Sequence, residues 1–282
     1  MKLVRTKEEV RAAVAAAREG GHRVGLVPTM GYLHEGHLSL VDRARERAGC
    51  VAMSIFVNPL QFGPAEDLDR YPRDLERDLA LAEGRGVDLV FAPSAAEMYP
   101  GGEPRVTVVA DPSMENRLCG AARPGHFRGV LTVVAKLFGV FAPDVAVFGQ
   151  KDLQQALLIR RMVADLDMPL DVDVAPIVRE PDGLAMSSRN VYLSAEQRER
   201  ALALSRAVGA AQSLFASGET DGSALRDAAW RTLAAPGVEV EYAEVVDPAT
   251  LARVERASPG AVCALAARVG KTRLIDNGIL ER

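Results

Sequence analysis

Two histidines three positions apart, His34 and His37, are the residues of this chain best suited to do chemistry. They lie in Gly25-Leu-Val-Pro-Thr-Met-Gly-Tyr-Leu-His-Glu-Gly-His-Leu-Ser-Leu40, where an apolar run breaks at Pro28 and Gly31. A helix opening near Glu35 or Gly36 sets both imidazoles on one face. A strand ahead of it puts them where open α/β sheets form their ligand crevice. Two donors in that position can grip a phosphate, and Gly36 between them lets a ligand approach closely. The same spacing also suits metal chelation, or a purely structural pair. A zinc site wants further ligands, and the remaining candidates, His22, His126, Cys50, Cys119 and Cys263, are scattered.

Other polar groups follow later apolar runs. Asn58 and Gln61 are separated by Pro59, whose fixed φ bends the chain. Their uncharged amides suit the hydroxyls and carboxylate of a hydroxy acid; the alternative is a turn-capping Asn and a surface Gln. Lys151 comes after an apolar run and Gly149. A helix opening there places Lys151 and Gln155 on one face near a positive dipole end, where a lysine serves as a phosphate ligand. A lone lysine is otherwise solvated surface. Arg123, His126 and Arg128 form a basic cluster ahead of a helix, able to meet phosphates or merely to cap it.

The elements that must position these groups alternate. Apolar runs at Val24–Val27, Val51–Val57, Val87–Ala92, Val145–Phe148 and Val172–Val178 read as buried strands. Helical patterns at Leu38–Ala48, Arg73–Gly84, Val130–Phe141 and Leu153–Leu166 separate them. This predicts an α/β fold, a Rossmann-like doubly wound parallel sheet, over residues 1–179. Near residue 180 the pattern changes. Glu180-Pro-Asp-Gly183 makes a turn, and Ser194-Ala-Glu-Gln197 is a capping box opening a long Ala-rich helix to about Ala216. A helix near Ser223–Ala234 and strands at Val238–Val246, Val262–Ala267 and Thr272–Asp276 complete a smaller α+β domain, 180–282. A chain of 282 residues with 48% hydrophobic content is long enough for two such cores. A net charge of −4 supplies no general field for a polyanion, which argues against nucleic acid as a partner. No apolar stretch has signal-peptide or membrane-spanning length, so a cytoplasmic protein is expected, and three widely spaced cysteines are expected to be reduced.

Pro28-Thr-Met-Gly31 followed by His34-Glu-Gly-His37 resembles the HxGH signature of adenylating nucleotidyltransferases, and its flanks resemble the pantoate–β-alanine ligase family. Four further blocks match that family: Ser54-Ile-Phe-Val-Asn-Pro-Leu-Gln-Phe62, Arg123-Pro-Gly-His-Phe-Arg-Gly129, Phe148-Gly-Gln-Lys-Asp-Leu-Gln-Gln155 and Asp182-Gly-Leu-Ala-Met-Ser-Ser-Arg-Asn190. Their order and spacing agree over nearly the whole length. Gln150 stands where the family usually has Glu.

The resemblance implies two half-reactions in one crevice. Pantoate carboxylate attacks the α-phosphorus of ATP to give pantoyl adenylate and pyrophosphate, and the amine of β-alanine then displaces AMP. Donors do the work: His34, His37, Lys151, Ser187, Ser188 and Arg189, with His37 resembling the family's proton donor. ATP contacts are implied at Met30, His34, His37, Gly149, Lys151, Asp152, Val178, Met186, Ser187, Ser188 and Arg189, and contacts to pantoate and β-alanine at Asn58, Gln61 and Gln155. Met186-Ser-Ser-Arg189 resembles the mobile KMSKS-type loop of related enzymes, with Ala185 in place of its first lysine. Asp78, and beside it Asp152, are the nearest carboxylates for Mg²⁺, which phosphates and water largely hold. A homodimer is expected. Two rivals remain open: another adenylyl or cytidylyl transferase, which would not need Asn58, Gln61 and Gln155 together, and a noncatalytic module that binds ATP without releasing pyrophosphate.

Overall fold

Six short strands form one parallel sheet: β1 (Lys2–Val4), β2 (Val24–Thr29), β3 (Cys50–Ile55), β4 (Leu89–Phe91), β5 (Val145–Gly149) and β6 (Asp171–Ala175), in the order β1-β4-β3-β2-β5-β6. From β2 the chain first winds outward through β3 to β4, then returns to place β5 on the other side of β2. The reversal lies between β2 and β5, which is where a doubly wound sheet opens its crevice.

The computed structural model describes residues 1–64 and 66–282. They form two compact units. The first comprises Met1–Ala110, Pro124–Gly149 and Leu158–Pro176; the second comprises Asp111–Arg123, Gln150–Leu157 and Ile177–Arg282.

In the first unit alternate residues of each strand meet opposite layers of helix. Val145 and Val147 of β5 share a buried cluster with Leu40, Val41 and Ala44 of the helix Glu35–Arg45 and Ala82 of the helix Leu75–Gly84. Phe148 instead meets Phe138, and Phe91 of β4 meets Phe141, both on the helix His126–Phe141. A sheet buried on both faces explains the near-continuous apolar runs. β1, three residues at the sheet edge, is too short to register as such a run. β2 continues through Pro28 to Thr29, past the break expected there. Its pairing with β5 involves only Gly25 and Leu26, so Pro28 lies where β2 has β3 alone beside it and no ladder donor is missed. The strand expected over Val172–Val178 stops at Ala175.

The second unit is built on an antiparallel sheet of β7 (Val238–Val246), β8 (Val262–Val269) and β9 (Thr272–Ile279), in that order. Cys263, Leu265, Ala267 and Val269 of β8 bury one face against the helices Ala195–Ala216 and Gly222–Leu233. On the other face Val262 clusters with Met114, Leu118, Leu153 and Leu157, which is why residues 111–123 and 150–157 group with this unit. The expected capping box is present: Ser194 Oγ accepts from Gln197 N at 3.2 Å and Gln197 Oε1 accepts from Ser194 N at 3.1 Å. No helix among the described residues is long and apolar enough to cross a membrane.

Candidate functional site

The histidine turn begins where β2 ends. Gly31 has φ +83°, and a Cβ there would stand 2.8 Å from Asp78 Oδ2, so the position excludes any side chain. Tyr32 also has positive φ, 50°. What holds this bent backbone is Asp78, 1% exposed, whose two oxygens accept the N–H groups of Tyr32 and Leu33 at 2.7 Å each. Its neighbour Arg77 donates to Leu33 O at 3.0 Å and lies over the Tyr32 ring at 5.1 Å. Burial pushes the Asp78 carboxyl up, against the downward pull of the Leu33 and Tyr32 N–H groups and of Arg77.

The turn delivers His34 to the N-cap of the helix Glu35–Arg45, one residue after buried Leu33. His34 N donates to His37 Nδ1 at 3.3 Å, and the two rings lie 4.0 Å apart, tilted by 35°. An Nδ1 that accepts a backbone N–H carries no proton, so neutral His37 has its proton on Nε2. The pair therefore offers an N–H donor beside the first turn of a helix, whose open backbone N–H groups and dipole favour an anion.

The sequence offers Asp78 as a carboxylate for Mg²⁺, and it does not fit that role, because both its oxygens are committed to backbone donors in the interior. Asp152 lies 3.7 Å from Lys151 Nζ. Among the described residues no group of three or more His, Cys, Asp or Glu is placed to hold a metal ion, which also leaves the histidine pair without the further ligands a zinc site would want. Asp78 instead positions the turn. Asp78→Asn keeps its shape but aims an NH₂ at one of two buried N–H groups, leaving a donor unsatisfied at a cost of about 1–3 kcal/mol. We expect a roughly tenfold or larger loss in the rate of adenylate formation with the fold retained. Rapid-quench kinetics and thermal unfolding decide it: a lowered Tm with a wild-type rate would make Asp78 a stabilising residue only.

Asn58 and Gln61 bracket a short 3₁₀ turn, Pro59–Gln61, after β3. Both are buried. Asn58 Nδ2 donates to Gln61 Oε1 at 3.0 Å and to Gly129 O at 3.1 Å, and its Oδ1 accepts from Leu60 N at 3.3 Å. Gln61 Nε2 reaches Met30 Sδ at 3.2 Å, so the amide turn and the start of the histidine turn meet. Gly129 is required by this packing, since a Cβ would fall on the Leu60 carbonyl oxygen. Of the basic cluster, buried His126 bonds Gln61 O through Nδ1 at 2.8 Å, and Arg128 pairs with Glu103 at 3.5 Å on the surface.

Apart from Gly149, which belongs to the first unit, the second unit holds the other expected phosphate ligands. Gly149 closes β5, Gln150–Asp152 form a 3₁₀ turn, and Gln155 follows in the first turns of the helix Leu153–Asp165, half-buried. Ile177–Met186 folds back on itself: Met186 N donates to Val178 O at 3.0 Å and Gly183 takes φ +95°. Ser187 then caps a 3₁₀ turn, Ser188–Tyr192, its Oγ accepting from Arg189 N at 3.3 Å. Arg198 ties this hairpin to its helix through Glu180 and Asp182, both at 2.8 Å. Burial alone would raise the Glu180 carboxyl, but the hydrogen bonds from Arg198 and Asn190 hold it below its usual range.

Two residues that hold the candidate site's turns are not picked out in the sequence. Asp276 and Asn277 sit side by side on β9, both buried. Asp276 takes Arg179 in a bidentate pair at 2.7 and 2.9 Å, holding the foot of the Ile177–Met186 hairpin that leads into Ser187–Arg189. Asn277 Nδ2 donates to Gln150 O at 2.9 Å and Lys151 O at 3.1 Å, holding the lysine turn. The Gln150 side chain answers by donating from Nε2 to Asn277 Oδ1 at 3.1 Å, a bond an ionised Glu could not make. Local sequence carries no signal for them, because their partners lie 97 and 127 positions away in the chain.

The model of one family, pantoate-β-alanine ligase, matches residues 2–279. The chain belongs to the pantoate–β-alanine ligase family. Members are ligases. The pantothenate synthetase of Roseiflexus castenholzii is 56% identical over 283 residues, covering 100% of both chains. The crystal structure of pantothenate synthetase from Thermus thermophilus superposes with a TM-score of 0.95 at 49% identity, again with 100% of each chain covered. That of the Francisella tularensis pantoate-β-alanine ligase, complexed with β-γ ATP and β-alanine, has a TM-score of 0.81 at 31% identity, covering 100% of this chain and 98% of that one. The doubly wound sheet with a smaller antiparallel unit is thus the architecture of the family.

Proposed function

We propose that the chain joins pantoate to β-alanine, with ATP cleaved to AMP and pyrophosphate. The observation that supports this most strongly is the His34–His37 pair, held at the start of a helix beside the sheet's reversal point in a chain that matches the ligase family along its length. A pantoate carboxylate oxygen bonds to the α-phosphorus as the bond to the pyrophosphate oxygen breaks. The amine of β-alanine then forms the amide bond at the acyl carbon, AMP leaves, and the nitrogen loses a proton. No protein nucleophile takes part; the protein positions the reactants and stabilises charge.

In this proposal Met30, His34, His37, Gly149, Lys151, Asp152, Val178, Met186, Ser187, Ser188 and Arg189 serve ATP, while Gln61 and Gln155 serve pantoate and β-alanine. Asn58, saturated by protein partners, acts through Gln61 and does not touch substrate. Residues 1–179, apart from the 111–123, 150–157 and 177–179 segments that group with the second unit, form the ATP- and pantoate-binding domain, and 180–282 belong to the smaller α+β domain. Magnesium accompanies ATP on its phosphate oxygens, with no carboxylate of the chain assigned to it. A cytoplasmic homodimer completes the picture.

The test is product analysis with ATP and pantoate, with and without β-alanine. Pantoate alone should release pyrophosphate in an amount matching the enzyme, and adding β-alanine should give continuous turnover to AMP. ATP bound without pyrophosphate release would favour a binding module, and release driven equally by other acids would favour a different adenylyl transferase.

A further inference from the structure

The Tyr99 hydroxyl donates to Asn58 Oδ1 at 2.7 Å, both groups being buried. Tyr99 lies just past the helix Ala95–Met98, its ring 6.1 Å from Phe56 and with Lys136 Nζ 5.6 Å from its centre. Burial pushes the phenol well above its usual range, which keeps the proton on Oη and makes it a donor.

From this point the polarity of the amides follows without choice. Leu60 N and Tyr99 Oη donate, so the Asn58 atom they meet is its oxygen. Gly129 O can only accept, so the Asn58 atom it meets is its nitrogen. That nitrogen faces Gln61 at 3.0 Å, so the Gln61 atom there is Oε1, and Gln61 Nε2 is turned the other way, toward Met30. Leu60 N and Gly129 O, each of one polarity, thus decide through Asn58 which end of the Gln61 amide is offered, and the Tyr99 hydroxyl adds the shortest bond that holds Asn58 there. The end offered is a donor.

We infer that Tyr99 is a positioning residue for the acid substrate: its short bond to Asn58 Oδ1 steadies the amide that holds Gln61, whose NH₂ group suits an acid bearing acceptor oxygens, a carboxylate or hydroxyl, at that point. This assignment rests on the proposed pantoate site. Without the phenol, Asn58 Oδ1 keeps only the longer bond from Leu60 N, so the amide, its polarity still set by Leu60 N and Gly129 O, holds Gln61 less firmly for an anionic acid. Tyr99 itself touches no substrate.

The experiment is a double-mutant cycle with Tyr99→Phe and Gln61→Ala, read as KM for pantoate and for ATP. Tyr99→Phe should raise the pantoate KM about five- to tenfold, the size of one lost neutral hydrogen bond, and leave the ATP KM within about twofold. In the Gln61→Ala background the same change should move the pantoate KM less than about twofold, because the amide through which it acts is gone. Equal rises in both backgrounds, an ATP KM that rises in step, or no change at all would overturn the inference. A second readout needs no turnover: the Gln61 side-chain NH₂ resonances, identified by their loss in Gln61→Ala, should shift in Tyr99→Phe, and unshifted resonances would equally overturn it. Wild-type protein that uses no pantoate would instead defeat the proposed function, and that control stands apart from the cycle.

Discussion

His37→Ala is expected to slow pantoyl-adenylate formation by about 10²–10³, and His34→Ala by a similar factor, with the fold retained in each. His37 Nδ1 is held by the His34 N–H, so the ring's orientation and tautomer are set before substrate arrives. A donor fixed in advance needs no reorganisation as charge develops on the phosphate oxygens, and that is the source of its worth. His34, stacked on His37 at 4.0 Å, shares the helix start and confines the ring from one side. Neither imidazole is built into the cluster of Leu40, Val41 and Ala44 that anchors the helix, so truncation should cost chemistry far more than stability. Pyrophosphate release in a single turnover measures the effect, and circular dichroism checks the fold. A near-wild-type rate from either variant would remove that histidine from the reaction.

Arg189→Ala should slow the adenylation half-reaction by about tenfold to a hundredfold while leaving attack of β-alanine on preformed adenylate within about threefold. The reason is where charge resides: pyrophosphate is present only in the first step. Arg189 sits in a turn capped by Ser187 and carried by a hairpin whose foot, Arg179, is clamped on Asp276, so the guanidinium is delivered from a rigid base. Single-turnover assays begun with ATP and pantoate, and separately with synthetic pantoyl adenylate and β-alanine, distinguish the steps. Slowing confined to the second step would mean that this arginine does not hold the departing pyrophosphate.

Much of this molecule follows from local pattern. The apolar runs that became β2, β3, β4, β5 and β6 are legible because a parallel sheet covered on both faces needs continuous apolar strands. Ser194 opens its helix through a capping box, an interaction confined to three residues of sequence. The spacing of His34 and His37, and the Pro59 bend between Asn58 and Gln61, are local in the same sense.

What local pattern could not supply is which groups hold those residues still. Asp78 is 45 and 46 positions from the two N–H groups it accepts, Tyr99 is 41 from Asn58, and Asn277 is 127 from Gln150. By sequence Asp78 is a carboxylate near a phosphate motif and reads as a metal ligand, and Asn58 is an amide beside Gln61 and reads as a substrate contact. Once folded, Asn58 has its donors and acceptor filled by the protein and Asp78 spends each oxygen on a backbone N–H, and buried polar groups so engaged support their neighbours. The sequence by itself determined the sheet, the order of its elements and the residue types able to act on ATP and an acid. Tertiary structure alone decided which residues hold others in place, because hydrogen-bond partners distant in the chain are chosen by the fold and leave no periodic mark in the sequence.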